Sequence, residues 1–230
     1  MSRFCLPIIE SSKEEIRRII ADTESRFDAF EVWLDYVEEL DPEFVTALVD
    51  RYGERMIFVF RRLSLAPTLM DGALRERIFA VLSGSSSFVD LDVRAQVREL
   101  DQAARAGHRF RLIASFHDYE ETPDDRTLRE LSATARSRGA EIVKLSTYCR
   151  SDHDALRLLA LLLELRGAGV TPIVLGMGPH GIATRVLGPL WGNALAFAPL
   201  DPERASAPGQ LSRDRLGAVL DILEESLRAR

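Results

Sequence analysis

Glu141-Ile142-Val143-Lys144-Leu145 is the stretch that decides how this chain is read. Its unbroken apolar character is that of a parallel strand buried on both faces, bounded upstream by Gly139. A lysine inside such a run is anomalous, because an ammonium taken out of water has to be paired, neutralised or used. Desolvation lowers a lysine's pKa, and the neutral amine is the form that attacks carbonyls to make a Schiff base. The plain alternative is a strand that ends at Val143, with Lys144 snorkelling at its rim.

Outward from this stretch, short apolar runs alternate with longer amphipathic ones. Phe4 to Ile9, Phe30 to Leu34, Met56 to Phe60 and Phe88 to Leu91 read as strands, followed in the second half by Phe110 to Ser115, the Lys144 strand, Pro172 to Leu175 and Ala194 to Ala198. Helices are expected between them. One follows the Ser12-x-x-Glu15 capping box, and others span Pro42 to Tyr52, Gly72 to Leu82 and Val93 to Ala106. Thr122-Pro123 is expected to open the next as N-cap and first helical residue, Ser151 to cap another, and Gln210 to about Leu227 to close the chain.

About eight strand-helix units without a composition break suit a single α/β domain over residues 1–230, folded as a (β/α)8 TIM barrel. A doubly wound open sheet is the alternative, but no glycine-rich turn follows Ile9 to announce its nucleotide site.

Composition narrows the function. With 46% hydrophobic and 29% charged residues the chain is an ordinary globular sequence. A net charge of -6, with arginines scattered among acidic residues, excludes a nucleic-acid footprint. The two cysteines, Cys5 and Cys149, suggest neither a disulfide framework nor a metal site. The opening Met1-Ser2-Arg3-Phe4-Cys5-Leu6-Pro7 lacks a signal-peptide core, so a cytoplasmic location is expected. Leu158 to Leu165 is apolar but bracketed by Arg157 and Arg166, too short for a bilayer, and no membrane partner is expected.

In barrels of this kind chemistry collects at the C-terminal ends of the strands. Those exits carry Glu31, Trp33 and Asp35, then Arg61, then Asp90 and Asp92, then Ser115 and His117, then Lys144. Period-two alternation puts Ser115 with His117, and Ile142 with Lys144, on common faces. If both faces point inward, a lysine and an imidazole from adjacent strands meet, and the imidazole can shuttle protons for imine chemistry. Beyond the seventh strand, Arg185 offers a fork for a carboxylate. Beyond the eighth, Ser206 and Gln210 stand in a small-residue loop able to hold an oxyanion.

These segments resemble the type I 3-dehydroquinate dehydratases, the Schiff-base class of dehydroquinase. Ser115-Phe116-His117-Asp118-Tyr119 with Thr122-Pro123 looks like the family's S-x-H-D-[FY] and TP pattern, and Ala140 to Lys144 like its Schiff-base strand. Met177-Gly178-x-x-Gly181-x-x-Thr184-Arg185 is similar to its MGxxGxxSR segment, and Ser206-Ala207-Pro208-Gly209-Gln210 matches SAPGQ.

The resemblance implies a (β/α)8 barrel, no cofactor and no metal, 3-dehydroquinate as small-molecule substrate, and a homodimer. It implies that Lys144 forms the imine, that His117 is the general acid-base, with Asp92 reaching it, and that Arg185, Ser206 and Gln210 grip the carboxylate side. Glu31 and Arg61 would contact ring hydroxyls. Three segments depart from the pattern. Trp33 stands where the family's E-x-R-x-D has arginine, Asp92 where D-x-E has glutamate, and Met70-Asp71-Gly72 where it has Glu-Gly-Gly. A catalytically silent metabolite-binding barrel, a Schiff-base aldolase, or a Schiff-base enzyme for another hydroxylated keto acid are the competing readings.

Overall fold

A computed structural model describes residues 2–228 of the chain, so the outermost residues of the expected 1–230 domain lie outside it. The described residues form eight strands: β1 Phe4–Ile8, β2 Ala29–Trp33, β3 Met56–Val59, β4 Phe88–Asp92, β5 Arg111–Asp118, β6 Ile142–Tyr148, β7 Thr171–Met177 and β8 Ala196–Phe197. They alternate with α1 Lys13–Thr23, α2 Pro42–Tyr52, α3 Gly72–Ser83, α4 Val97–Ala106, α5 Asp125–Ser137, α6 Asp152–Gly167, α7 Ile182–Trp191 and α8 Arg213–Arg228. All strand pairs are parallel, in the order β7-β6-β5-β4-β3-β2-β1-β8. The α/β barrel expected from the alternation is the fold.

Local chemistry starts five of the described helices. Ser12, Asp41, Asp71, Asp124 and Ser151 each accept a backbone N–H of the first turn. Pro42 occupies the first helical position of α2, where its missing N–H is no loss. The leucines of α6 divide by helical period, with Leu158, Leu161, Leu162 and Leu165 buried against the sheet and Leu156 and Leu163 outward. Among the described residues no helix is long and apolar enough to cross a membrane.

Three helix starts differ from the sequence expectation. The helix after β5 begins at Asp125 with Asp124 as cap; Thr122 instead hydrogen-bonds Thr147 Oγ1 at 2.9 Å and the Tyr148 carbonyl at 3.0 Å, tying that loop to β6. The helix after β4 begins at Val97, because the Gln96 side chain accepts the Asp92 N–H at 2.8 Å and donates to the Phe60 carbonyl at 2.9 Å. The last helix begins at Arg213, since Gln210 is occupied with Ser206.

Register stacks the barrel interior in layers. Cys5, Ala29, Ile57, Phe88, Ile113, Ile142, Ile173 and Leu195 form an apolar floor. Two residues further along four of those strands come Glu31, Asp90, Ser115 and Lys144, so the period of two lifts these four side chains above the floor into one polar storey. Between β7 and β8 the sheet ladder is not continuous. There the Asn193 side chain accepts the Val174 N–H at 2.7 Å and donates to the Val174 carbonyl at 3.1 Å, replacing a strand pairing with an amide.

Candidate active site

Lys144 stands in the middle of β6, not at its rim, and is 4% exposed. The strand runs on through Ser146-Thr147-Tyr148 because β5 continues beside it, pairing His117 with Ser146 and Asp118 with Thr147. The snorkelling alternative is thereby excluded. Lys144 Nζ donates to Asp90 Oδ2 at 2.8 Å and Glu31 Oε2 at 2.9 Å, with the Phe197 ring centroid 4.4 Å away.

Those partners correct one expectation. Burial lowers the Lys144 pKa, as the sequence reading supposed, but Asp90 and then Glu31 outweigh it, and the pKa is raised above the ordinary lysine value. The resting side chain is an ammonium. Asp90 is held far below the usual carboxylate range, since Arg61 and Lys144 overcome its burial. Glu31, Asp90 and Lys144 of that storey, with Arg61 from just beyond β3, survive as charges inside the barrel because each is paired.

His117 and Lys144 are joined through this network instead of touching each other. Arg61 Nη1 donates to Asp90 Oδ1 at 2.7 Å and to Ser115 Oγ at 3.3 Å, and Arg61 Nη2 reaches Asp90 Oδ2 at 3.3 Å and His117 Nε2 at 3.0 Å. A guanidinium only donates, so His117 Nε2 is the acceptor and the ring proton sits on Nδ1. That nitrogen faces Asp92 Oδ2 at 3.2 Å. Burial and the neighbouring Arg61 push the His117 pKa below the ordinary imidazole value, against the opposing pull of Asp92. The imidazole is neutral at pH 7, with its lone pair on the cavity side.

Asp92 does reach the histidine despite its short side chain. Its Oδ1 accepts the Arg94 and Ala95 N–H groups at 2.9 Å each, and its Oδ2 accepts the His117 N–H at 3.1 Å. The carboxylate is therefore fixed by backbone, behind the ring and off the cavity.

The opposite side of the cavity is built differently. Arg185 lies on the first turn of α7, is 3% exposed, and its Nε and Nη1 have no hydrogen-bond partner. Its Nη2 makes one long contact, 3.4 Å, to the Pro208 carbonyl. Burial without a counter-ion lowers its pKa to about 10. Ser206 and Gln210 close the loop over this arginine, with the Ser206 N–H donating to Gln210 Oε1 at 2.8 Å and Gln210 Nε2 to Ser206 Oγ at 3.0 Å.

One cavity of about 30 Å³ brings Glu31, Arg61, His117, Lys144, Arg185, Ser206 and Gln210 together, all of the expected site residues except Asp92. Trp33 and Tyr119 also line it. Asp90, which the sequence reading placed at a strand exit but gave no role, is the centre of the network; its position two residues before Asp92, hence on the same face of β4, was the available signal. Asp35 turns away, holding the β3–α3 segment through Thr68 and facing Arg75 at 3.7 Å.

A parallel α/β barrel thus carries a buried lysine on β6, an imidazole on β5 and a guanidinium with two unpartnered nitrogens around one cavity, the groups from which a lysine-dependent barrel enzyme is built. The sequence profile of the type I 3-dehydroquinases matches residues 4–226, and the chain belongs to that family. It is 28% identical to the 3-dehydroquinate dehydratase of Methanocaldococcus jannaschii over 225 residues, 96% of this chain and 98% of that one. It is 34% identical to the Methanosarcina barkeri 3-dehydroquinate dehydratase over 138 residues, which spans 59% of this chain and 57% of the relative. The crystal structure of the Geobacillus kaustophilus 3-dehydroquinate dehydratase superposes with a TM-score of 0.84 at 26% identity, covering 98% of this chain and 92% of that one.

Proposed function

We propose that Lys144 and His117 carry out the dehydration of 3-dehydroquinate to 3-dehydroshikimate, the shikimate-pathway reaction of this Schiff-base class. The observation that carries the proposal is the resting cavity itself: Lys144 as an ammonium between Asp90 and Glu31, and a neutral His117 whose Nε2 accepts from Arg61 and can exchange that contact for a proton.

The lysine must first lose a proton, and the neutral imidazole is the group able to receive one. The amine then adds to the C3 ketone, and the imidazolium returns its proton to the departing hydroxyl, so that loss of water leaves an iminium on Nζ and a neutral imidazole. That cation sits where Asp90 and Glu31 already stabilise positive charge, so it replaces the ammonium at small electrostatic cost. His117 Nε2, exchanging its Arg61 contact for the substrate, removes a C2 proton, and the electron pair flows into the iminium. Return of that proton to the C1 hydroxyl expels it as water, and hydrolysis frees Lys144 and the product. Asp92 keeps the Nδ1–H tautomer throughout. Arg185 takes the substrate carboxylate, with Ser206 and Gln210 closing over it, and Glu31 and Arg61 form the remaining wall.

A cavity of about 30 Å³ holds roughly one water. Incubation with 3-dehydroquinate, borohydride reduction and intact-mass measurement tests the proposal: one adduct on the wild type and none on Lys144→Ala is expected. No adduct on the wild type, or one that persists without Lys144, refutes it. The single-domain organisation, cytoplasmic location and homodimer expected from the sequence belong to the same proposal. A single cooperative unfolding transition, fractionation of the native cell and sedimentation equilibrium test them in turn.

A further inference from the structure

The polar groups on the Glu31–Arg61 side of the cavity are already spent on one another. Trp33 has a single donor, and its Nε1–H goes to Glu31 Oε1 at 2.9 Å. The other Glu31 oxygen accepts from Lys144. Arg61 uses both Nη atoms on Asp90, Ser115 and His117, and its carbon lies 5.3 Å from the Trp33 ring centroid, which covers it on that side. Arg61 Nε alone remains, buried and without a partner, a donor with no acceptor beside it. When Lys144 becomes an iminium it keeps one N–H, and His117 Nε2 turns from Arg61 to the substrate, so one carboxylate oxygen and one Arg61 N–H are released, enough to hold one hydroxyl.

We infer that Trp33 is a specificity-determining residue, an indole wall that leaves one ring hydroxyl of the substrate ungripped. The site then takes monodeoxy relatives of 3-dehydroquinate, lacking the C4 or the C5 hydroxyl, as true substrates. This rests on the function proposed above. Its physical basis is an asymmetry in recognition. A site built to hydrogen-bond a hydroxyl rejects the analogue lacking it by about 10⁴–10⁵, because the site's own polar groups are stranded. The indole, whose one N–H is already given to Glu31, strands nothing when the hydroxyl it faces is missing, and an apolar contact distinguishes a hydroxyl by only about 10².

The test is kcat/KM for 3-dehydroquinate, its 4-deoxy analogue and its 5-deoxy analogue on the wild-type enzyme, with borohydride capture on Lys144 run in parallel. At least one analogue is expected within about 100-fold of 3-dehydroquinate, the reach of an apolar contact. A loss beyond that for both overturns the inference. Trp33→Gln, which puts a donor and an acceptor in place of the indole, is expected to raise the discrimination by about tenfold or more; an unchanged ratio in the folded variant also overturns it. The wild-type ratios decide the matter even if that variant folds poorly. Absence of any Lys144 adduct with all three compounds would count against the proposed function and not against the wall, so the two failures are distinguishable.

Discussion

The two sides of the cavity solve the problem of buried charge in opposite ways. Around Lys144 every charge has its partner, with Glu31, Asp90 and Arg61 joined at 2.7–2.9 Å. Around Arg185 a guanidinium lies equally deep with two of its nitrogens unpartnered. A closed network is complete without a ligand and is poised to exchange one cation for another on the same nitrogen. An unpaired cation is complete only with an anion from outside. In the function proposed above, one side does the chemistry and the other captures the carboxylate.

Four substitutions break or sharpen this contrast. The largest effect is expected from Lys144→Met, which removes the nucleophile and should lower turnover by about 10⁴-fold or more, to background. It also leaves Glu31 and Asp90 facing each other without their cation, so unfolding in urea should show a loss of about 3–5 kcal/mol. A turnover retained within tenfold would dismiss the lysine.

Arg185→Met should do the reverse to stability. Removing a buried cation with no counter-ion is expected to leave the urea midpoint unchanged or higher, while substrate binding weakens by about 2–5 kcal/mol. Small organic carboxylates should raise the melting temperature of the wild type and leave that of the variant where it was. A strongly destabilised variant with unchanged KM would erase the difference between the two sides.

Asp92→Asn bears on the imidazole. Because burial and Arg61 depress the His117 pKa, the acid limb of kcat/KM is expected below the ordinary imidazole value near 6.5. Asp92 works in the other direction and favours the protonated ring, so its neutralisation should move that limb further down. A limb that moves up, or one at the ordinary imidazole value in the wild type, contradicts the tautomer and charge assigned here. The smallest effect belongs to Gln210→Ala, which removes one hydrogen-bonded loop contact, worth about 1 kcal/mol in kcat/KM. Turnover equal to wild type would take the loop out of the site.

Much of the molecule can be read from local pattern. The alternation of strand and helix, the inward face shared by Ser115 and His117, and that shared by Ile142 and Lys144 follow from period two and period 3.6. Where local pattern failed, a long-range partner had intervened. Thr122 has the chemistry of a cap, but Thr147 and Tyr148 of the next strand take its hydroxyl, and Asp124 caps the helix. Ser146-Thr147-Tyr148 carries no apolar signal, yet becomes strand because β5 and β7 lie on either side. Asn193 reads as a loop residue, and closes the barrel seam only because Val174 arrives opposite it.

The sequence by itself determined the barrel, the identity of the lysine and histidine, and the side from which each enters, since these depend on periodicity and residue chemistry along one stretch of chain. The protonation of that lysine was decided by tertiary structure alone. Burial, which is legible in an apolar run, lowers its pKa; Glu31 and Asp90, 113 and 54 residues away along the chain, raise it. Charge state is set by the sum of desolvation and pairing, and pairing exists only once strands β2, β4 and β6 have been brought around one interior.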